Sequence, residues 1–159
     1  MGERSSQEPP EMCDIDINIA VNGEASQSSD YKKYVANRAI DGSNEINLYN
    51  DSCAHTLHDL EPWWRLDLKE SYSIGTIVIS GRSDCCLERL SGAQIRIGNS
   101  PDNNNPVCST ITNVSVPTTT YCCNGMEGQY ISVVIPRRYE YLTLCEVKVH
   151  KDPSIKLCW

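Results

Sequence analysis

The 159-residue chain contains no C-x-x-C pair although it holds nine cysteines, which removes the metal-site spacing that a cysteine-rich cytosolic protein would carry. No apolar stretch approaches the length of a membrane span, and the opening residues MGERSSQEPPEM lack the apolar core of a signal peptide. The sequence is therefore expected to represent a mature or recombinant form. No segment sustains a helical period and there is no internal repeat, which argues against a bundle or a solenoid. Basic residues are few, fourteen against twenty-one acidic ones, and the net charge of −7 repels nucleic acid phosphates and anionic lipid headgroups. Neither nucleic acid binding nor direct membrane insertion is expected. G-x-S-x-G and H-E-x-x-H are both missing. A glycosidase would need two carboxylates, one with a raised pKa; the candidates Asp84 and Glu88 lie among arginines, which lower it. The chain is not expected to be an enzyme.

What is present points outward from the cell. The cysteines form two adjacent pairs, Cys85-Cys86 and Cys122-Cys123, and five scattered singles, Cys13, Cys53, Cys108, Cys145 and Cys158. That arrangement reads as disulfides formed in an oxidising compartment, hence a secreted protein. The glycosylation triplets Asn50-Asp51-Ser52 and Asn113-Val114-Ser115 agree with it. Residues 1–13 read as a polar tail, 14–150 as one domain and 151–159 as a short C-terminal tail. Within the domain, apolar residues alternate over strand lengths: Ile15 to Val21, Trp64-Leu66-Leu68, Ile77-Ile79, Ile95-Ile97, Tyr130 to Ile135, and Tyr141 to Val149. Turn-rich stretches such as Gly98 to Pro106 separate them. The expected fold is all-β, an antiparallel sandwich or barrel, with binding residues on loops at one end.

One spacing stands out. His55 is followed after twenty-six residues by Arg82, then by Asp84, then after four more by Arg89. Around these lie Asn18-Ile19-Ala20, Ala39-Ile40-Asp41-Gly42, Trp63 to Leu68, Asp84-Cys85-Cys86 and Leu144-Cys145-Glu146. The set resembles the F-type lectin family, whose motif is H-x26-R-x-D-x4-R/K, and the likeness spans roughly residues 16–150. Chemically the motif suits a sugar, because hydroxyls need several donors fixed in direction and planar guanidinium groups supply them.

The resemblance implies a jelly-roll sandwich of the wider discoidin-like type that recognises terminal α-L-fucose on glycans. His55, Arg82 and Arg89 would bind the sugar, and Asp84 would accept from both arginines and hold them still. Cys85 and Cys86 would form a vicinal disulfide against the sugar ring, with Leu48 and Tyr49, helped by Tyr31 or Tyr34, walling its methyl group. Calcium would be held by Asp41, Ser52 and Glu146 through side chains and by Arg38, Ser43 and Cys145 through carbonyl oxygens. His55 and His58 are spaced like zinc ligands but lack an evident third. The implied disulfides are Cys53–Cys145, Cys85–Cys86 and Cys108 with Cys122 or Cys123; neighbouring termini suggest Cys13–Cys158. By the same analogy the protein would be a trimer acting in agglutination or innate immunity. The rival reading is a discoidin-like adhesion module for phospholipid or a protein surface, which would need apolar loop spikes that these polar loops do not suggest.

Overall fold

The computed structural model describes residues 17–42 and 52–152. Its architecture follows from two long strands, β4 (Trp63–Ser80) and β7 (Thr118–Val134), which pair antiparallel along almost their whole lengths. The register shifts between Asp67 and Tyr72 and again between Ile74 and Thr76, so the ribbon changes direction partway along. Its two halves therefore acquire different neighbours. Beside the first half of β4 lies β1 (Glu24–Gln27); beyond the matching end of β7 lie β5 (Gln94–Gly98) and β6 (Val107–Thr110). The second half of β4 pairs with β10 (Glu146–Lys151).

Alternating side chains from both halves enter one buried cluster. Trp64, Leu66, Ile95, Ile97, Ile131 and Val133 come from the half of the ribbon that pairs with β1 and β5, and Ile77, Ile79, Val147 and Val149 from the half that pairs with β10. The all-β antiparallel fold expected from the alternation is thus what the chain adopts. Trp64 is fully buried, and its indole N–H donates to the Ala36 carbonyl at 3.0 Å. That bond satisfies the buried ring and anchors the short 3-10 turn Ala36–Ile40 that leads to Asp41. At Gly128 an added Cβ would lie 2.5 Å from the backbone of Gly98, so β7 can approach β5 there only because residue 128 is glycine.

Two expected strands are different in detail. Residues Ile19–Asn22 form a 3-10 turn, with Ile17 and Val21 exposed. The cause is Asn18, whose side-chain oxygen accepts from Ala20 N–H at 3.1 Å and from Val149 N–H at 2.9 Å, capping a turn rather than extending a strand. The apolar run from Tyr141 to Val149 is broken into β9 (Thr143–Leu144) and β10. Between them Cys145 bonds to Cys53 and gives its N–H to the Ser80 carbonyl.

Three disulfides join described residues: Cys53–Cys145, Cys85–Cys86 and Cys108–Cys123. Of the two partners left open for Cys108, Cys123 is the one used, because its side chain turns inward while that of Cys122 is exposed. Cys122 is itself disulfide-bonded. The expected Cys13–Cys158 pair lies outside the described residues, as do the N-terminal tail and residues 153–159; Lys151, expected to open the C-terminal tail, is instead the last residue of β10. Cys53–Cys145 closes a sequence separation of 92 residues. Replacing both by Ala is expected to cost about 2–5 kcal/mol in urea unfolding; a loss below about 0.5 kcal/mol would show that the sheet alone holds these segments.

Candidate functional site

The site is assembled from the loops at one end of the sandwich. The short strand β2 (Ala54–His55) pairs with β9, placing Ala54 opposite Leu144 and His55 opposite Thr143. Thr56 N–H donates to Leu142 O, and Leu142 N–H donates to Thr56 Oγ1, each at 2.9 Å. On its other side β2 is laced to the Tyr31–Tyr34 loop: Tyr31 N–H donates to His55 O at 2.8 Å, and His55 N–H donates to Tyr34 O at 3.0 Å. Gln27 fastens the same loop through its amide to Asp30 and Tyr34 O.

The result is a cleft of about 370 Å³ lined by Tyr31, Lys32, Tyr34, His55, Arg82, Arg89 and Tyr141. Three of the sequence-predicted residues, His55, Arg82 and Arg89, therefore converge on one cavity. His55 is only 4% exposed, its ring 4.7 Å from Tyr31 and edge-on to Tyr141 at 5.5 Å. Its Nδ1 lies 2.7 Å from the Thr56 carbonyl. A carbonyl only accepts, so Nδ1 carries the hydrogen and Nε2 is left with a lone pair. Burial lowers the His55 pKa most, and the charges of Arg82 and Arg89 lower it further, against the raising effect of the Thr56 bond. The site thus offers a neutral imidazole acceptor beside two permanent cationic donors.

Each arginine is positioned by its own device. Arg82 makes a fork to Asp84, with Nε to Oδ1 at 3.1 Å and Nη2 to Oδ2 at 2.7 Å, and this pair is mostly shielded from solvent. The bonds from Arg82 hold the Asp84 carboxyl below its ordinary pKa. Arg89 instead lies 5.0 Å above the Tyr141 ring, and its carbonyl accepts from Arg138 Nη2 at 2.8 Å. The expectation that Asp84 would grip both arginines is thereby corrected: the carboxylate is consumed by a bidentate pair with its near neighbour, and a tyrosine face serves the second. Asp84 and Arg89 flank a loop closed by the Cys85–Cys86 bond, with Cys86 in the left-handed region at φ 73°. Cys85 is exposed, and neither sulfur lines the cleft.

Tyr31 and Tyr34, expected as walls, both line the cleft, whereas Leu48 and Tyr49 lie outside the described residues. Sequence reasoning missed Lys32 and Tyr141. In the sequence Tyr141 is one more residue of an alternating run, and an aromatic at the head of that run is its only signal.

Below the cleft, Asp41-Gly42, Ser52-Cys53 and Cys145-Glu146 meet. Glu146 is 2% exposed; its Oε2 accepts from Gly42 N–H at 3.0 Å, and its Oε1 has no hydrogen-bond partner among the described residues. Burial and then the Asp41 carboxyl push its pKa up to about 8. A buried carboxylate oxygen without a partner among the described residues, beside a second carboxylate and a buried Ser52, belongs to a donor set that a hard cation satisfies. Asp41, Ser52 and Glu146 therefore fit calcium, with carbonyls of Arg38 and Cys145 on the same segments; Ser43 is outside the described residues. No three His, Cys, Asp or Glu side chains converge among the described residues, so carbonyl and hydroxyl oxygens must complete any shell.

Comparison with known proteins fixes the class and then the family. Residues 38–133 match the model described as NedA-like, galactose-binding domain. Fucolectin-6 of Anguilla japonica is 42% identical over 143 residues, covering 86% of this chain and 76% of that protein. The pentraxin fusion protein of Xenopus laevis is 43% identical over 141 residues, 86% of this chain but 34% of that longer protein. The crystal structure of an f-lectin (fucolectin) from striped bass (Morone saxatilis) serum superposes with a TM-score of 0.82 at 44% identity, covering 86% of this chain and 47% of that one. The chain belongs to the F-type lectin, or fucolectin, family. Two of these relatives, fucolectin-6 and the striped-bass protein, are named as lectins. The chain spans about a third of the pentraxin fusion protein and about half of the striped-bass chain.

The geometry sets a pH dependence. The unfolded chain protonates His55 near its ordinary pKa of about 6.5, while the folded state resists until lower pH. Its contribution to stability is complete above about 6.5 and is lost as pH falls towards and through the lowered value. Ligand binding that uses Nε2 as acceptor is expected to be flat from pH 7 to 9 and to weaken only below about 6.5. An NMR titration of the His55 ring protons showing a midpoint at or above that value would contradict this placement.

Proposed function

We propose that this chain is a secreted, calcium-dependent lectin whose cleft binds a terminal α-L-fucose on glycans without chemically altering it. The convergence of His55, Arg82 and Arg89 on one cavity carries the reading. The guanidinium groups donate to sugar hydroxyls and the ring oxygen, and His55 Nε2 accepts from a hydroxyl, a complement that suits groups which both donate and accept. Tyr31 and Tyr34 supply apolar wall; Leu48 and Tyr49 are assigned to the methyl group from the family pattern. Cys85 and Cys86 keep the Arg82 to Arg89 loop rigid and offer sulfur surface at the rim. The names of the relatives support fucose as the sugar, and the disulfides support an oxidising, extracellular setting.

Calcium acts on the scaffold. Bound by Asp41, Ser52, Glu146 and neighbouring carbonyls, it would neutralise the carboxylate pair and lock the segment that continues into His55. One monosaccharide site buries few atoms, so useful avidity would come from several sites on one assembly, by family analogy a trimer. Agglutination of fucosylated cells in innate defence is the role that such clustering would serve.

Two experiments test this reading. Arg82→Ala or Arg89→Ala should reduce binding of methyl α-L-fucoside by at least about tenfold, the loss of a charged hydrogen bond, with the fold intact. Calorimetry showing near-native affinity in either variant would place the sugar elsewhere. Chelation should lower the melting temperature even without sugar, with weakened binding following and both restored by added calcium. Unchanged melting after verified removal of metal would refute a structural ion at these residues.

A further inference from the structure

Tyr141 is a wall of the cleft and also the first ring of an aromatic row that leaves it. Its ring lies 4.9 Å from that of His58, and His58 stacks on Tyr139 with centroids 6.0 Å apart and planes 17° from parallel. Tyr139 is 61% exposed, and Leu60, directly opposite it where β3 (Asp59–Leu60) pairs with β8 (Tyr139–Glu140), is 57% exposed. Leu57, on the same loop as His58, is exposed as well. None of the three side chains enters the core cluster.

The row is also firmly held. Glu61 N–H donates to Arg138 O, and Arg137 N–H donates to Glu61 Oε2, both at 2.9 Å, closing the turn next to the β3–β8 pair. Asp59, one residue from His58, accepts from the hydroxyls of Ser28 and Ser29, tying this ledge to the loop that walls the cleft's other side. The fold thus fixes an aromatic and aliphatic surface in water, continuous with a polar cleft, with Arg138 and Glu140 paired at its edge. Mixed surfaces of this type suit a pyranose, which offers a patch of C–H groups on one face and hydroxyls around its rim.

We propose that Tyr139, with His58 and Leu60, forms a second subsite that binds the sugar unit attached to the fucose. This rests on the fucose reading of the cleft. A galactose-configured pyranose fits best, because its axial 4-hydroxyl leaves the hydrogens of C3, C4 and C5 together on the opposite face, where an aromatic ring can stack. Tyr139 then sets selectivity between glycans that share the same terminal fucose.

The intact chain is titrated by calorimetry with methyl α-L-fucoside and with the methyl glycoside of α-L-fucosyl-(1→2)-β-galactose. The disaccharide should bind about tenfold more tightly than the monosaccharide, an increment on the scale of one aromatic stacking contact. Tyr139→Ala should bring the two affinities together while leaving the monosaccharide within about twofold of native, and Tyr139→Phe should keep the gain. A native chain that binds both equally, or a Tyr139→Ala chain that weakens both equally or neither, overturns the subsite. So does sedimentation with phosphatidylcholine–phosphatidylserine vesicles that Tyr139→Ala abolishes, which would make the ledge a lipid-docking surface. Failure of the native chain to bind the monosaccharide overturns the fucose reading and the subsite with it; failure of the disaccharide gain alone leaves the fucose reading standing.

Discussion

The site depends on one short antiparallel contact, Ala54-His55 against Thr143-Leu144, stapled at its edge by Cys53–Cys145. Two residue pairs are too few to be stable alone. They persist because the Tyr31–Tyr34 loop bonds to one side of His55, the Leu142–Thr56 exchange closes the other, and the disulfide forbids separation. Everything the cleft offers is referred to this contact. It buries His55, sets Nδ1 against the Thr56 carbonyl, and delivers Tyr141 as the seat for Arg89. The carboxylates of Asp41 and Glu146 gather at the same junction, so an ion there would brace the cleft from below.

Electrostatics explains why a protein with a net charge of −7 gathers Lys32, Arg82 and Arg89 around one cavity. The charges are not left to repel at random. Arg82 is neutralised by a forked carboxylate, Arg89 rests on an aromatic face, and His55 between them stays neutral because burial and both guanidiniums oppose its protonation. Neutralisation also fixes direction, since a fork to Asp84 leaves only part of the Arg82 guanidinium able to face a ligand. The cleft is a set of oriented donors around one acceptor, which suits binding a hydroxylated ring better than altering it.

Much of this was legible in the sequence because its patterns have direct physical counterparts. Alternation in Trp64-Leu66-Leu68 and Ile95-Ile97 became the buried face of the sheet, and the spacing of His55, Arg82 and Arg89 became one cavity. What escaped depends on contacts distant along the chain. Asn18 turned an alternating segment into a capped turn by bonding to Val149, which no local pattern reveals. Cys108 chose Cys123 over its neighbour through strand facing, a matter of register. Tyr141 and Tyr139 were invisible as a pair because one heads a strand-like run and the other ends a turn; only the pairing of β3 with β8 brings His58 between them. The loops are mostly polar in composition, yet Leu57, Leu60 and Tyr139 stand exposed beside the cleft.

A crystal structure of this chain with methyl α-L-fucoside would decide whether His55, Arg82 and Arg89 together hold a single fucose residue. Sugar oxygens are expected within hydrogen-bonding distance of His55 Nε2 and of both guanidinium groups, with the Arg82–Asp84 fork unchanged. A sugar bound at full occupancy elsewhere on the surface, or one in the cleft that touches none of these three side chains, would contradict that arrangement.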